Sequence, residues 1–371
     1  MRILIISGSF YPRNSPRSFR TTELAKEFAR QGHEVKVVIP DTQYDYAELE
    51  KCYTSLQICQ SKEITWKDFN MNGRGLMYWS RRILRRILIQ FLEYPTIQWY
   101  LKMPKILRKE SGYDLMVSIA YPHPIHWGIA RCIKKGMNLS KTWVADCGDP
   151  YMGCKTSSFK PAFYFAYFEK LFCKLADFIT VPFEAAKEGY YDEFQHKIKA
   201  IPQAFNFDDI KITDRYEPNE IITFIYAGSF IPGERDPRPV LKYLSSIDMD
   251  FCFVVYTKQT DLFEKYIPIL GNKLVINDLL PRIELLYEMS KADFLLNLEY
   301  GTNIQRASKL IEYSLVRRPI LSLYSQDFDT EKLAKFLHRD YSQQYYVSNI
   351  EDYNINNAVK KFIEFTHIKY D

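Results

Sequence analysis

The sequence has few of the features that mark secreted, metal-stapled or membrane-spanning proteins. Its seven cysteines are scattered over 371 residues, and no two are spaced as Cys-x-x-Cys. An odd number without paired spacing argues against a disulfide framework and a structural zinc site, and is typical of free thiols in a reducing cytosol. No run of about 18 uncharged apolar residues is present, so we expect no transmembrane helix.

A strong net charge is also missing. The formal charge of +5 is too small over this length to indicate a nucleic-acid partner. The apolar run at residues 3–6 is too short for a signal peptide and leads directly into a glycine turn. We therefore expect a cytoplasmic protein that does not bind nucleic acid.

The length of the chain and its apolar content predict two domains. Single hydrophobic cores stop growing at roughly 250–300 residues, and 47% of the residues are apolar, which is enough for two cores. Residues 3–6 form a continuous apolar run that is typical of a parallel strand buried on both faces. A helix at 18–31, ended by Gly32, and a strand at 35–40 complete a βαβ unit.

The same alternation continues to the end of the chain, except in residues 41–74, which show no clear pattern. Further strands are predicted at 115–119, 142–145, 178–181, 221–226, 251–256, 274–276, 294–298 and 320–323, and helices at 125–136, 161–175, 239–246, 284–291 and 305–315. This pattern predicts two doubly wound, Rossmann-like α/β domains that face each other across a cleft. Ligands are then expected at the carboxyl ends of the strands.

Domain boundaries follow from the polar stretches. We predict a first domain at 1–205, a linker at 206–220, a second domain at 221–350, and a closing helix within 351–371 that can pack back on the first domain.

Two basic clusters in the second half are candidates for binding an anion. Strand 294–298 leads into a helix that carries Ser308, Lys309 and Glu312, and a helix N-terminus favours anions. Lys309 adds a charge for a diphosphate, and Glu312, one turn on, can accept from ribose hydroxyls. Gly228, Ser229 and Arg235 follow strand 221–226 and can reach the same anion. The alternatives are an amphipathic helix with a solvated Lys–Glu pair and a charged surface turn.

The motifs together resemble the family-4-type (GT4-like) retaining glycosyltransferases of the GT-B fold. Six motifs carry the resemblance, in the family's order over residues 1–330: Ser15 to Arg20, Gln31 to Val35, the positions Asp114, Pro122 and His126, Ala145 to Tyr151, Tyr226 to Phe230 with Arg235, and Ser308 to Tyr313 followed by Pro319. The stretch from Ala145 to Tyr151 is similar to the Arg-Asp-Pro-Trp stretch of enzymes that build bacterial surface polysaccharides.

The resemblance implies a function. The chain would transfer a sugar from a nucleoside-diphosphate sugar, with UDP preferred, to a saccharide acceptor that is lipid-linked, with retention of configuration, in bacterial cell-surface polysaccharide biosynthesis. It would need no cofactor. Because no Asp-x-Asp motif lies at a strand end, we expect no metal either. The implied donor-binding residues are Gly228, Ser229, Arg235, Ser308, Lys309 and Glu312.

The first half would bind the acceptor, with Gly8, Arg17 and Arg20 as acceptor-binding residues. Asp149 follows strand 142–145 and can orient a hydroxyl, while His123 and His126 follow strand 115–119 and can bind the sugar or take a proton. The alternatives are that Asp149 only forms a turn before Pro150, that His123 and His126 are structural, and that Arg20 is an ordinary surface arginine.

The sequence departs from the family in three places. Ile304 stands where many members carry a glutamate, Arg317-Arg318 stand where a glycine usually follows the helix, and Ser229 stands where many carry arginine. These departures leave Lys309 and Arg235 to hold the diphosphate. A non-catalytic relative acting as a scaffold, and a sugar-nucleotide epimerase, therefore remain alternatives; a dinucleotide-dependent oxidoreductase is disfavoured because Gly-x-Gly-x-x-Gly is missing.

Residues 74–109 form a basic aromatic segment with nine Lys or Arg and one acid, Glu93. On a helix, Arg81, Arg82, Arg85 and Arg86 group on one side and Ile83, Leu84, Ile87, Leu88 and Phe91 on the other. This arrangement is typical of a helix in an anionic membrane interface. It predicts a peripheral protein on the inner face of the cell membrane; the alternative is a helix packed on its own domain.

Overall fold

The computed structural model describes residues 1–71, 75–154, 160–299 and 308–368. The chain divides into two compact units. Unit 1 comprises Met1–Phe205 together with Asp352–Asp371, and unit 2 comprises Asn206–Glu351.

Unit 1 is built on a parallel sheet of seven strands in the order β3-β2-β1-β4-β5-β6-β7. The strands are β1 (Arg2–Ser7), β2 (Glu34–Pro40), β3 (Leu56–Ser61), β4 (Tyr113–Ile119), β5 (Ser140–Asp146), β6 (Phe178–Val181) and β7 (Ile198–Ala200). Ile5 of β1 lies between Val37 of β2 and Val117 of β4 on one face, and Leu4 and Ile6 of β1 are fully buried on the other, so the centre of the sheet is apolar on both faces.

Helices cover both faces of this sheet. They are α1 (Pro16–Arg30), α2 (Ala47–Cys52), α3 (Leu76–Leu92), α4 (Gln98–Ile106), α5 (Pro124–Lys134) and α6 (Phe165–Leu175). Helix α1 begins where the Ser15 side chain accepts a hydrogen bond from the Ser18 amide, with Pro16 in the first turn. It ends just before Gly32, which has a φ of +82°.

Unit 2 repeats the scheme with five parallel strands in the order β10-β9-β8-β11-β12. Its strands are β8 (Ile222–Ala227), β9 (Phe251–Tyr256), β10 (Leu274–Asn277), β11 (Phe294–Leu298) and β12 (Ile320–Leu323), and its helices are α7 (Arg238–Leu244), α8 (Ile267–Leu270), α9 (Arg282–Met289), α10 (Ser308–Leu315) and α11 (Thr330–Leu337). The two doubly wound parallel sheets predicted from the sequence are confirmed.

The segments that flank the sheet of unit 2 belong to different units. Residues 206–220 belong to unit 2, where the Tyr216 hydroxyl donates to the buried carboxylate of Asp293 over 2.6 Å. The last helix, α12 (Ile355–Glu364), belongs to unit 1. Phe362 meets Phe28 of α1 edge to face, and Phe365 stacks on Phe178 of β6 with ring centroids 4.3 Å apart.

Both sheets reverse their winding direction at one point. In unit 1 the switch lies between β1 and β4, and in unit 2 between β8 and β11. In doubly wound sheets, the carboxyl ends of the strands at this point form the ligand crevice, because the loops on either side depart in opposite directions. The loops after β1, β4, β8 and β11 are therefore where functional side chains are expected.

Candidate functional site

The predicted donor-binding residues of unit 2 converge on its switch point. Gly228 directly follows β8, and α10, which carries Lys309 and Glu312, follows β11. The ammonium of Lys309 lies 4.3 Å from the centroid of the Tyr226 ring. A Cβ on Gly228 would lie 2.5 Å from the same nitrogen, and Gly228 has a φ of +129°. The backbone conformation therefore favours glycine here, and a side chain at this position would displace the Lys309 ammonium.

The ammonium of Lys309 is destabilised in the ligand-free protein. Burial, and next the positive charge of Arg235, lower its pKa from 10.5 to about 7, while Glu312 acts in the opposite direction. Two cations thus approach each other in a partly buried place. A bound anion would relieve this repulsion and raise the pKa of Lys309 again.

A further cation joins the cluster through Glu312. The Nε of Arg282, at the start of α9, donates to Oε1 of Glu312 over 2.6 Å. With Lys309 charged, three cations and one carboxylate leave the cluster with two positive charges. Sequence reasoning missed Arg282, because thirty residues separate it from Glu312 and only the packing of α9 beside α10 brings them together.

The structure says less about the other two predicted donor-binding residues, Ser229 and Ser308. Ser229 is exposed, and its carbonyl accepts from the Tyr226 hydroxyl over 2.9 Å. Ser308 begins the described part of α10, but its side chain, like Ile304, lies outside the part of the chain that the structure describes.

A cavity of about 800 Å³ is lined in part by α9, beginning at Ile283, the residue after Arg282. It is lined by Tyr256 at the end of β9, Asn277 and Asp278 at the end of β10, and Ile283 and Tyr287 of α9. Aromatic rings beside amide and carboxylate oxygens are suited to a flat heterocycle that both stacks and hydrogen-bonds.

In unit 1, the carboxylate of Asp146 at the end of β5 is the centre of a buried ion pair. Arg20, only 3% exposed, donates from Nε and Nη2 to the two oxygens of Asp146 over 3.1 and 2.8 Å. The same guanidinium donates to the carbonyls of Ile201 and Pro202. Arg20 is thus a fully engaged interior residue, which counts against a role at an acceptor phosphate; that role remains a prediction only.

Arg17 and Gly8 lie at the edge of this arrangement. The Nη1 of Arg17 is 3.8 Å from Asp146, and its guanidinium fills the space beside Gly148, where a Cβ would clash. A Cβ on Gly8 would clash with the ring of Pro122. The loops after β1 and β4 therefore contact each other at the switch point of unit 1.

His126 is a core residue. It is completely buried, with Nδ1 2.8 Å from the Ser118 hydroxyl and Nε2 3.4 Å from the Cys147 sulfur. The Ser118 oxygen accepts from Trp143, so its proton can be donated to Nδ1 of His126. Burial holds the pKa of His126 well below its usual value. This neutral, enclosed ring has no access to substrate in the structure, which counts against a catalytic role.

His123 and Asp149 are brought together. Both line a cavity of about 250 Å³ whose other walls include Glu93, Tyr121 and Tyr151. His123 is buried, and Nδ1 has no hydrogen-bond partner among the described residues. Burial, followed by the charge of Arg17, lowers its pKa to about 3, so the ring is neutral.

Glu93 was not predicted as a site residue. It is buried at the end of α3, accepts from the Tyr151 hydroxyl over 3.1 Å, and has a pKa raised by burial. As the one acid in a basic segment it stood out in composition, but nothing in the sequence showed that it is buried.

No protein-family model and no curated protein matches the chain. Solved structures do match over nearly its whole length. A glycosyltransferase from Rickettsia africae ESF-5 is 11% identical, with 98% of this chain and 94% of that chain covered and a TM-score of 0.57. The lipopolysaccharide outer core galactosyltransferase WaaB is 12% identical, with 99% and 97% covered and a TM-score of 0.52.

A putative UDP-N-acetylglucosamine 2-epimerase from Listeria monocytogenes is also similar. It is 12% identical, with 100% of this chain and 98% of that chain covered and a TM-score of 0.50. At such low identities the similarity concerns the backbone architecture. This similarity, together with the chain's two parallel sheets of seven and five strands, shows that the chain has the GT-B fold.

Proposed function

We propose that the protein is a glycosyltransferase that moves a sugar from a nucleoside-diphosphate sugar, with UDP preferred, to a saccharide acceptor. The observation that carries this proposal is the cluster of Lys309, Arg235, Arg282 and Glu312 at the switch point of unit 2. A net charge of two positive units matches a diphosphate. The depressed pKa of Lys309 means that the empty site holds electrostatic strain that an anion relieves.

The same groups account for the chemistry. When the bond between the sugar and the diphosphate breaks, negative charge grows on the departing diphosphate. Fixed cations in a partly buried site stabilise that charge more strongly than water does, without reorganising during the reaction. Lys309 and Arg235 take this part, so the proposed reaction is independent of a metal ion. Retention of configuration is proposed from the motif resemblance.

The nucleoside would extend from this cluster along α9. Arg282 places the Glu312 carboxylate at the start of that helix, where it can accept from the ribose hydroxyls. The next residue, Ile283, already lines the 800 Å³ cavity, together with Tyr256 and Asn277. We propose this cavity as the place of the nucleobase.

The direct test is turnover of donors. Purified protein is incubated with UDP-glucose, UDP-galactose, UDP-N-acetylglucosamine and GDP-mannose, and release of the nucleoside diphosphate is measured with and without a membrane extract that supplies acceptors. We expect release from one donor class, stimulated by acceptor and lost in Lys309→Met. The matched control is Lys335→Met, on α11 of the same unit and ion-paired with Glu331; if both variants behave alike, the proposal fails.

An epimerase is the second candidate, because a putative UDP-N-acetylglucosamine 2-epimerase has a similar backbone. The discriminating result is conversion of UDP-N-acetylglucosamine to its 2-epimer without acceptor. A transferase instead releases UDP and needs an acceptor for full activity. If folded protein neither epimerises UDP-N-acetylglucosamine nor releases UDP, the non-catalytic scaffold is favoured.

We further propose that unit 1 lies peripherally on an anionic membrane, on the cytoplasmic face, where a lipid-linked acceptor would be met. The helix α3 exposes its apolar side: Ile83 is 60% exposed, Ile87 47% and Phe91 51%. About half of each of these side chains is exposed, which supports the membrane proposal over a helix whose apolar side is packed on its own domain. Among the described residues, no helix is both long and apolar enough to cross a bilayer.

A second apolar element stands next to α3. Phe163 is 84% exposed. It is fixed beside the helix because the Tyr164 hydroxyl donates to the carbonyl of Phe91 and the Gln90 amide donates to the carbonyl of Lys160. Arg85 is ion-paired with Asp68 and Arg86 lines a cavity of unit 1, so the exposed Arg81 and Arg82 are the arginines that would meet anionic headgroups while these apolar groups enter the interface.

Vesicle flotation tests this surface. Ile83→Ser combined with Ile87→Ser should weaken binding to phosphatidylglycerol-containing vesicles about thirtyfold, since roughly 2 kcal/mol of apolar burial is lost. The matched control is Ile267→Ser with Ile269→Ser, whose side chains are 46% and 57% exposed on α8. Equal flotation of the two double variants would refute the membrane proposal and leave the donor chemistry unaffected.

A further inference from the structure

The small cavity of unit 1 combines groups that favour one class of ligand. Its volume of about 250 Å³ lies just below the range of roughly 300–1,000 Å³ that is usual for drug-sized ligands. It therefore suits one ring and not an oligosaccharide. The walls come from α3, from the loop between β4 and α5, and from the segment after β5, with Glu93, His123 and Asp149 as their functional groups.

His123 and Glu93 have hydrogen-bonding capacity left for a ligand. The Nδ1 of His123 is buried without a partner among the described residues, which is costly unless something occupies the cavity. The carboxylate of Glu93 accepts from Tyr151 over 3.1 Å and from Thr96 over 3.3 Å. A carboxylate has about four acceptor positions, so it can take further donors. The Tyr151 ring also packs against His123, with centroids 5.1 Å apart.

The charges nearest Glu93 and His123 favour an uncharged ligand over an ion. The carboxylates of Glu93 and Asp149 repel an anion. The positive charge of Arg17 acts on His123 and repels a cation at that end. Arg86 also lines the cavity, but it is seven residues from Glu93, about 10 Å along a helix. What fits between Glu93 and His123 is an uncharged ligand with several hydroxyl groups.

We propose that this cavity binds a single uncharged sugar ring, and that the carboxylate of Glu93 and the imidazole of His123 recognise its hydroxyl groups. The inference rests on the proposed function, in which this ring is the accepting sugar. Binding is nevertheless measurable without turnover, so the two proposals fail separately.

The test is binding of the methyl glycosides of glucose, galactose, mannose and N-acetylglucosamine to the full chain. Binding is followed by the NMR signals of the six histidine rings, with His123 assigned from a His123→Gln variant. We expect at least one glycoside to shift the His123 signal saturably, and Glu93→Gln to weaken that glycoside about tenfold, because a charge-assisted hydrogen bond is replaced by a neutral one.

Glu110→Gln is the matched control. Its carboxylate also accepts from a tyrosine, Tyr113, but lies just before the amino end of β4, at the opposite edge of the sheet. We expect it to bind like the wild type. Should Glu93→Gln fail to fold, Tyr151→Phe, which removes only a hydroxyl that positions Glu93, should weaken binding by a smaller factor.

Three results would overturn the inference: no glycoside shifts His123, Glu93→Gln or its substitute binds as tightly as Glu110→Gln, or methyl glucuronide binds as tightly as the uncharged glycosides. Missing donor turnover in the wild type would instead refute the proposed function, and would leave a measured glycoside affinity standing.

Discussion

Replacing Lys309 with methionine should change donor binding in a way that depends on pH. Methionine keeps an unbranched apolar side chain but removes the charge that lies over the Tyr226 ring. The ligand-free pKa of about 7 means that the wild-type ammonium is mostly present at pH 6. A hydrogen bond to a charged group is worth about 1.5–3 kcal/mol, so the variant should bind a UDP-sugar roughly 10–100-fold more weakly there.

At higher pH the difference should shrink. A bound diphosphate raises the pKa of Lys309, so the affinity of the wild type is highest below pH 7 and falls as the pH rises above it. At pH 8.5 the ligand-free amine must first take up a proton, at a cost of about 2 kcal/mol for 1.5 pH units. The ratio of the two dissociation constants should then approach a few-fold.

Isothermal titration calorimetry measures both effects. The ratio of the two proteins' dissociation constants cancels any ionisation of the ligand. Titrations at pH 8 in buffers with different ionisation enthalpies should show uptake of close to one proton in the wild type and none in Lys309→Met. A ratio that is the same at pH 6 and pH 8.5, with no difference in proton uptake, would refute the assignment of Lys309.

The ligand-free variant should also be more stable. A lysine whose folded pKa is depressed from 10.5 to about 7 destabilises the fold fully below pH 7, and the effect disappears as the pH rises through 10.5. The full shift corresponds to roughly 5 kcal/mol. Because the side chain is only partly buried, we expect about 1–2 kcal/mol at pH 7, measured by urea unfolding.

Three further predictions concern single features. Gly228→Ala should lower stability by about 1–2 kcal/mol in thermal unfolding, because its φ of +129° disfavours a side chain, and should weaken UDP binding by displacing Lys309; unchanged affinity would contradict the close approach. Asp146→Asn should cost about 3–5 kcal/mol, since Arg20 is left buried without its counter-ion, whereas a loss below 1 kcal/mol would show that the pair is dispensable. Donor turnover should survive EDTA without change, and restoration by Mg²⁺ or Mn²⁺ of activity lost to EDTA would show that a metal takes part.

Most strands, and the approach of Lys309 to Gly228, were predictable because local patterns determine them. The apolar runs of β1 and β8 are buried on both faces, and βαβ order places Gly228 and Lys309 at one switch point. The edge strand β3 was missed because its sequence, Leu-Gln-Ile-Cys-Gln-Ser, alternates with only one face buried. Helix α11 was missed although Asp329 caps it and Leu333, Phe336 and Leu337 have helical spacing.

Which charged residues are buried is harder to predict from the sequence than where the strands lie. The resemblance predicts Arg20 as an acceptor-binding residue, which remains a prediction, whereas its spacing of four from Leu24 and Phe28 already indicates the buried side of α1. Arg282 and Glu93 carried no such signal. Their contacts with Glu312 and Tyr151 span 30 and 58 residues and depend on how helices pack, which local sequence does not determine.

Calorimetric comparison of UDP, UMP and uridine on the wild-type protein tests the central claim most directly. If the cations of unit 2 hold a diphosphate, UDP should bind at least tenfold more tightly than UMP, uridine should bind weakest, and the advantage of UDP should be lost in Lys309→Met. Equal affinity for UDP and UMP, or no binding of UDP or GDP to the folded protein, would contradict the account.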